Sequence, residues 1–323
     1  MNKSIFFNTS LIITFISLLL IPIITFGQNP IIRHIRTADP SAHVWADGKI
    51  WLYCSHDKDC AKNYNSMDGY HVFSSSDMVK WTDHGEVLHS RDVKWGNPEG
   101  GLMWAPDCAY KNGTYYFYYP HKDSTNKWRI GVATSTKPEG PFKDIGRYIE
   151  GTYGIDPTCF IDDDGQAYLY FSGYSVAKLK ENMIELAEPV REIKYGATNS
   201  REGTYMHKRN KIYYYSYTDW KDTLCQGYYA MGNNPYGPFE YKGAVNFAPK
   251  GAQDHHSIVE FHGMWYYFYH TGNYNGGNIY RRNVCVDYLY YNPDGTMQMV
   301  KQTDKGVKPV KFRSKKYKTL VKN

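Results

Sequence analysis

The chain has 323 residues, of which 42% are hydrophobic, 17% aromatic and 22% charged. This balance is that of a globular protein with its own core, and it excludes a mainly disordered chain. Six cysteines are too few for a disulfide scaffold. The 32 tyrosines are the unusual feature, because tyrosine suits strands that are half buried and half in contact with water.

The formal net charge of +6 does not indicate a nucleic-acid partner. Eight basic residues and no acidic one follow residue 304, and without them and Lys3 the charge becomes −3. A nucleic-acid-binding protein would carry its basic residues on the folded face. We therefore interpret residues 305–323 as a solvated basic tail.

The N-terminal segment is typical of a secretory signal peptide. Lys3 precedes the almost wholly apolar run Leu11–Phe26, and the small residue Gly27 follows it. Pro22 interrupts the run, which is short for a membrane span, although an uncleaved anchor is the alternative. We expect residues 1–27 to be removed and the mature protein to be secreted or periplasmic, without stable membrane insertion.

Export would permit disulfide bonds. Cys54 and Cys60 are close enough in sequence to pair across a loop. The alternative is that the scattered cysteines are small buried side chains in strands.

Five segments along the chain combine a tight turn with an aromatic, β-rich run, which is the signature of a hairpin. Their turns centre on residues 48, 113, 165, 210 and 263, at intervals of 45 to 65 residues. Such a period indicates an array of one repeated unit. It predicts a single all-β domain over residues 28–304, a five-bladed β-propeller with four antiparallel strands per blade. A β-sandwich is the competing architecture, but it does not explain five copies.

A polar residue in a strand-like context precedes each hairpin. Because the first strands of the blades line the central channel, we expect these side chains to converge there. An aspartate before proline also initiates turns, and the Trp-Ala-Pro sequence before Asp107 favours a structural role for that residue. The residues are Asp39, Asp107, Asp156, Glu202 and the pair His255 and His256.

Several carboxyl groups in one cleft push their pKa values apart, so that one stays protonated at neutral pH. Glycoside hydrolysis needs that separation, with one acid for the leaving oxygen and one base for water. Sugars stack on aromatic rings, and four tryptophans lie near the candidate acids in sequence. They are Trp45, Trp95, Trp104 and Trp220, of which Trp104 is our candidate for substrate binding.

The ordered set of motifs resembles glycoside hydrolase family 43, five-bladed propeller enzymes that act on arabinose- and xylose-containing polysaccharides. The resemblance spans roughly residues 33 to 300. The matching stretches are ADPSAHVW, MWAPDCAYKNGTYYFYY, GIDPTCFIDDDGQAYLYF, REGTYMHKRNKIYYYSY and DHHSIVEFHGMWYYFYH.

The resemblance implies an inverting mechanism. In that scheme Asp39 is the general base, Glu202 is the general acid, and Asp156 raises the pKa of the acid and orients it. The resemblance also implies that a fifth-blade histidine holds a hydrated Ca²⁺ on the axis. His255 matches that position best, and His256 is the alternative.

A substrate-contacting arginine in the closing stretch is a further implication of the resemblance. Arg281 and Arg282 both fit this position, and one of them is expected at the surface.

We therefore expect a carbohydrate-active enzyme that removes arabinose or xylose from plant cell-wall polysaccharides or oligosaccharides. An α-L-arabinofuranosidase is the first hypothesis, and a β-xylosidase or another exo-glycosidase of the family is the alternative. A non-catalytic carbohydrate-binding propeller belongs to a different class, but it has no reason to keep base, acid and modulator together. Segments Ser55–Tyr70 and His89–Gly101 are candidates for closing the channel.

Overall fold

The computed structural model of the protein describes residues 28–195, 201–221 and 224–310. Within them the strands form five antiparallel sheets, the blades, each in chain order from the axis outwards. Blade 1 contains β1 (Arg36–Val44), β2 (Ile50–Asp57), β3 (Gly69–Ser75) and β4 (Thr82–His89). Blade 2 contains β5 (Asp107–Lys111), β6 (Thr114–Lys122), β7 (Trp128–Ser135) and β8 (Lys143–Tyr148).

The remaining blades follow the same order. Blade 3 contains β9 (Thr158–Ile161), β10 (Ala167–Phe171), β11 (Ser175–Lys178) and β12 (Arg191–Glu192). Blade 4 contains β13 (Arg201–Arg209), β14 (Ile212–Lys221), β15 (Leu224–Gly232) and β16 (Glu240–Asn246). Blade 5 contains β17 (Ser257–Phe261), β18 (Met264–Thr271) and β19 (Asn283–Leu289). The predicted five-bladed propeller is confirmed.

The five predicted hairpins join the first and second strands of the blades. In blade 2 the turn residues Asn112 and Gly113 both have positive φ, 52° and 82°. This is the backbone of the tight hairpin turn that matches the twist of the flanking strands, and Asn-Gly tolerates it best.

Both faces of the sheets are buried between blades. Along β2, Leu52 faces the cluster shared with blade 5, whereas Tyr53 faces the cluster shared with blade 2. Because successive side chains of a strand point to opposite faces, a strand buried on both faces carries a nearly continuous apolar run. The aromatic runs in the sequence follow from this arrangement.

Buried tyrosines link neighbouring blades, which accounts for part of their number. The hydroxyl of a tyrosine in the second strand of blades 1 to 4 donates to a backbone carbonyl of the next blade. A ring therefore fills the space between blades while its polar end is satisfied. The donors and acceptors are Tyr53 to Pro138, Tyr118 to Met183, Tyr170 to Pro235 and Tyr214 to Gly295, at 2.7–3.0 Å.

Blade 5 departs from the prediction of four strands, since it contains three in the described part of the chain. The N-terminal segment lies along the outer edge of β19 instead. The Ile31 amide donates to Val284 O at 2.9 Å, and the Asn29 side chain bonds both the amide and the carbonyl of Val286. The start of the chain thus satisfies an edge that would otherwise be open.

The packed body extends past the predicted boundary at residue 304. Val307 is buried in the cluster between blades 5 and 1, and the Val310 amide donates to Asp77 O at 3.0 Å. The predicted signal peptide and the rest of the basic tail lie outside the described residues. No helix in the described ranges is long and apolar enough to cross a membrane.

The six cysteines are free thiols in the structure, so the Cys54–Cys60 pairing, one of the two alternatives left open by the sequence, is absent. Cys54 is buried in the cluster between blades 5 and 1, whereas Cys60 is exposed. The alternative expectation, small buried side chains in strands, describes the five buried cysteines.

Candidate active site

A cavity of about 190 Å³ opens on the axis at the mouth where β1, β9 and β13 begin. The five blades deliver acidic, basic and aromatic side chains to it. The cavity lining includes Asp39, Tyr64, Trp104, Asp156, Glu202, Trp220, Gln253, His255 and Arg282.

The backbone at the three acids is irregular. Asp39 and Asp156, each before a proline, have φ of 51° and 57°, and Gly203 beside Glu202 has φ of 61°. The strand register shifts at Asp39 in β1 and at Glu202 in β13. Aspartate tolerates the left-handed region better than most residues, and a bulge redirects a side chain. The irregularities therefore turn all three carboxyl groups into the cavity.

Asp39 is buried and held as a carboxylate. Arg282 Nη1 donates to Asp39 Oδ1 at 3.0 Å, and Ser55 Oγ donates to Asp39 Oδ2 at 2.7 Å. Burial alone would raise the pKa of Asp39, but the charge of Arg282 and the other polar neighbours lower it to about 2. Asp39 is thus ionised at neutral pH, as a base must be.

Arg282 is fixed by a second acid. Asp57 accepts from Nε and from Nη2 of Arg282 at 2.8 Å each, and from the Arg282 amide at 2.8 Å. Such a bidentate pair sets the plane of the guanidinium. Asp57 therefore orients the arginine that in turn faces Asp39.

Glu202 and Asp156 have pKa values shifted upwards. Burial raises the pKa of Glu202, and the charge of Asp39 adds to the shift, while the Trp220 Nε1 hydrogen bond at 3.0 Å opposes it. Burial also raises the pKa of Asp156 well above its usual range, and the charge of Glu202 contributes. The Gly203 amide donates to Asp156 Oδ2 at 2.7 Å. This pair retains a proton at a pH where Asp39 has lost its own.

Two histidines of blade 5 lie beside Asp39. Nδ1 of His255 is 3.8 Å from Asp39 Oδ1, and Nδ1 of His270 accepts from the Asp39 amide at 2.9 Å. Burial lowers their pKa values to about 4 and about 3, so both are neutral. His256 lies behind the cavity, between Asp254 and Ser216. Of the two predicted alternatives, His255 is the one that faces the axis.

Aromatic side chains close the cavity. Tyr64, in the segment after β2, donates to Gln253 Oε1 at 3.1 Å, and its ring lies 5.1 Å from the Arg282 guanidinium. Trp104 Nε1 donates to Tyr64 O at 3.1 Å, and the Met103 amide donates to Met67 O at 2.8 Å. The predicted closing segment Ser55–Tyr70 forms the wall, and the chain after His89–Gly101 supports it from outside.

Some predicted residues lie elsewhere. Asp107 accepts from Ser41 and His43 and from the Cys159 amide, so it ties the inner strands of blades 1 to 3 together. Arg281 is not a cavity residue, and its Nη1 reaches Asp59 O at 3.4 Å. Trp45 lines the opposite end of the axis, and Trp95 packs against Tyr119 in blade 2.

Sequence reasoning missed Tyr64, Gln253, His270 and Asp57. The loop residues Tyr64 and Gln253 carry no motif of their own. His270 follows the aromatic run of β18. The sequence signal for it was a polar residue within a buried strand. Asp57 ends β2 in the same way and is 1% exposed.

The arrangement places an ionised carboxylate and a proton-retaining carboxyl pair around one small cavity with aromatic walls. Hydrolysis of a glycosidic bond requires one group that keeps a proton and one that has lost it, and this cavity contains both kinds of group. The fold and the site therefore define a glycoside hydrolase on a five-bladed propeller.

Comparison with known proteins gives the family. The model of Glycosyl hydrolases family 43 matches residues 27–297. A xylosidase/arabinosidase 43A of Humicola insolens is 38% identical, over 82% of this chain and 97% of its own. A β-xylosidase of Xylanibacter ruminicola is 35% identical, over 82% of this chain and 96% of its own. The chain belongs to glycoside hydrolase family 43, a family of inverting enzymes.

A solved structure has the same fold. It is a family 43 β-xylosidase/α-arabinofuranosidase from a compost microbial metagenome, in complex with xylotriose and in a calcium-free form. The TM-score is 0.79 at 38% identity, with 84% of this chain and 97% of the other covered.

Proposed function

We propose that the protein is an exo-acting glycosidase that releases single pentose units from the ends of xylo-oligosaccharides. In this proposal β-D-xylosidase activity is the principal one, and α-L-arabinofuranosidase activity accompanies it. The sequence alone favoured arabinofuranosidase as the principal activity. The similar proteins are β-xylosidases or xylosidase/arabinosidases, and they favour xylosidase as the principal activity. The bound xylotriose of the solved relative supports a xylo-oligosaccharide substrate.

The small size of the cavity is the observation that carries the exo assignment. Its volume of about 190 Å³ is below the roughly 300–1,000 Å³ usual for ligand pockets. The hydrogen bond between Tyr64 and Gln253 joins loops of blades 1 and 5 over it. A space of this size suits one terminal sugar better than an internal stretch of a polysaccharide.

The residue roles follow from the protonation states. Asp39, ionised, removes a proton from the attacking water. Glu202 is the member of the proton-retaining pair that delivers the proton to the departing oxygen, and Trp220 holds its carboxyl in place. Asp156 shares the proton of this acid, because losing it would leave two adjacent negative charges, and Arg282 orients Asp39 and offers N–H donors to the sugar. Inversion follows when water attacks from the side opposite the leaving group.

A hydrated Ca²⁺ on the axis belongs to the same proposal. His255 presents a neutral imidazole to the cavity, and the buried Nε2 of His270 has no partner among the described residues. Ca²⁺ prefers oxygen ligands, so these histidines fit an ion that keeps most of its water and takes His255 as a ligand. The ion would supply positive charge close to Asp39.

The test is hydrolysis by the purified protein of aryl β-D-xyloside, aryl α-L-arabinofuranoside and xylotriose. We expect release from both aryl glycosides, faster from the xyloside, and conversion of xylotriose to xylose through xylobiose. Arabinofuranoside cleavage alone would contradict the substrate order. Binding of xylotriose without any hydrolysis would establish the non-catalytic binding propeller instead.

Export is also a proposal, and it rests on the apolar run Leu11–Phe26. N-terminal sequencing of the protein recovered after expression in a secreting host tests it. We expect the first residue to be close to Gln28, and retention of Met1 would contradict export by cleavage.

A further inference from the structure

Three side chains suited to metal binding lie together in blade 1, away from the catalytic acids. They are His56 at the end of β2, His71 in β3 and Glu86 in β4. One ligand atom from each lies within 4.8 Å of the others. The rings of His56 and His71 are 4.9 Å apart and meet edge to face.

Strand pairing produces this cluster. His71 is the register partner of Glu86 across β3 and β4, and the pairing shifts on both sides of His71. His71 is also the partner of Cys54 in β2, so His56, two residues beyond Cys54, lies on the same face. The arrangement is therefore fixed by the sheet rather than by a mobile loop.

A glycine makes room for the carboxylate. A Cβ atom at Gly69 would lie 2.7 Å from Glu86 Oε2, which is closer than real Cβ contacts. A larger residue at this position would force the end of the Glu86 side chain to move from where it lies.

The His56 side chain has an unused polar atom. Its Nδ1 is buried and has no hydrogen-bond partner among the described residues. A buried polar atom without a partner is costly, and such an atom calls for an explanation such as an ion.

The contacts of His71 and Glu86 are also compatible with metal binding. His71 Nδ1 faces Asp83 Oδ1 at 3.4 Å, and a carboxylate behind a histidine is the usual outer partner of a metal ligand. Glu86 has one long contact, 3.4 Å to Nη2 of the exposed Arg91. Exposed ion pairs of this kind contribute little to stability, so the Glu86 carboxylate can release Arg91 and bind a metal cation instead.

We propose that His56, His71 and Glu86 bind a divalent transition-metal ion of the Zn²⁺ type. Two imidazoles and one carboxylate suit Zn²⁺ and disfavour Ca²⁺, which takes oxygen ligands. The site is separate from the Ca²⁺ position proposed at His255. His56 lies just before residues 58–68 and His71 just after them, so a bound ion would hold the two ends of this segment together. The segment includes Tyr64, which lines the catalytic cavity.

The test is calorimetric titration of Zn²⁺ into untagged, chelator-treated protein, followed by Co²⁺ absorption spectra. We expect one Zn²⁺ per chain with a rise in melting temperature, and no competition by Ca²⁺. Glu86→Gln removes a direct ligand and should weaken Zn²⁺ binding by at least the roughly 10- to 100-fold typical of losing an outer partner. His56→Ala should abolish the visible bands of bound Co²⁺.

Three control variants make the assignment specific. His84→Gln, in the same blade, and His255→Gln, in the catalytic cavity, should bind Zn²⁺ as the parent does. His89→Gln separates this site from the overlapping group of Asp68, Glu86 and His89. We expect it to retain Zn²⁺.

Unchanged affinity in both His56→Ala and Glu86→Gln would overturn the proposal. Loss in His89→Gln with retention in His56→Ala would also overturn it, as would no binding by the parent protein. If His56→Ala does not fold, the surface variant Glu86→Gln decides alone. Because binding is measured without substrate, the result does not depend on the proposed glycosidase activity.

Discussion

The two ends of the propeller axis are lined by the same five inner strands, yet they differ in chemistry. The catalytic end has the smaller cavity, about 190 Å³, against about 470 Å³ at the opposite end. The opposite end also has aromatic and polar walls. It is lined by residues that include His43, Trp45, Tyr110, His207, Lys208 and Trp265.

The two ends differ in the burial and the pairing of their carboxyl groups. At the opposite end Asp163 is exposed and paired with Lys208 at 2.8 Å, as an ordinary surface carboxylate is. At the catalytic end the carboxyl groups are buried, and their pKa values are shifted in opposite directions. Buried acids with opposing shifts identify the reactive end, and cavity volume does not.

The largest expected effect comes from the base. Asp39→Asn should lower kcat for aryl β-xylosides by about 10³- to 10⁴-fold, because the amide that replaces the proposed base cannot take the proton from water. Asp163→Asn, the matched change at the opposite end, should leave kcat unchanged. Steady-state kinetics of both variants checks this prediction. A comparable loss of kcat in the two variants would contradict the assignment of catalysis to one end of the axis.

A smaller effect is expected from Asp156→Asn. Once the proton of the Asp156 and Glu202 pair is lost, two negative charges lie side by side in the parent but only one in the variant, so Glu202 should lose its proton at a lower pH in Asp156→Asn. The rate falls on the alkaline side when Glu202 loses its proton, so the basic limb of kcat/KM should move to lower pH. The acidic limb belongs to Asp39, with a pKa of about 2, and it should not move. A pH profile in which the basic limb stays in place would contradict the role of Asp156.

The smallest effect is expected from the aromatic walls. Trp104→Ala should raise KM for xylobiose about 10-fold, since one stacking surface of the cavity is lost. Trp45→Ala, at the opposite end, should leave KM unchanged. A rise in KM with Trp45→Ala would mean that the larger cavity also takes part in substrate binding.

The sequence predicted the architecture because its signals are local. Each hairpin carries its turn and its aromatic run within about ten residues, and Asp39, Asp156 and Glu202 precede these runs in register. Asp107 also precedes such a run, but its Trp-Ala-Pro sequence favoured a structural role, and its contacts with His43 and Cys159 fit that role.

What the sequence could not predict depends on contacts between distant segments. Tyr64 meets Gln253 across the cavity, 189 positions later in the chain, and Asp57 meets Arg282 across 225 positions. Neither pair has a periodic pattern, because loops and strand ends carry no repeat. The edge of blade 5 is a third case, since its N-terminal covering segment is not strand-like in sequence.

The proton-donating role of Glu202 is the central claim, and leaving-group dependence tests it most directly. The measurement compares kcat/KM of the parent protein and of Glu202→Ala on aryl β-xylosides with leaving groups of decreasing acidity, and on xylobiose. We expect Glu202→Ala to be nearly as active as the parent on the most acidic phenol and about 10²- to 10⁴-fold slower on xylobiose. An equal loss on all substrates, or full activity on xylobiose, would contradict the assignment.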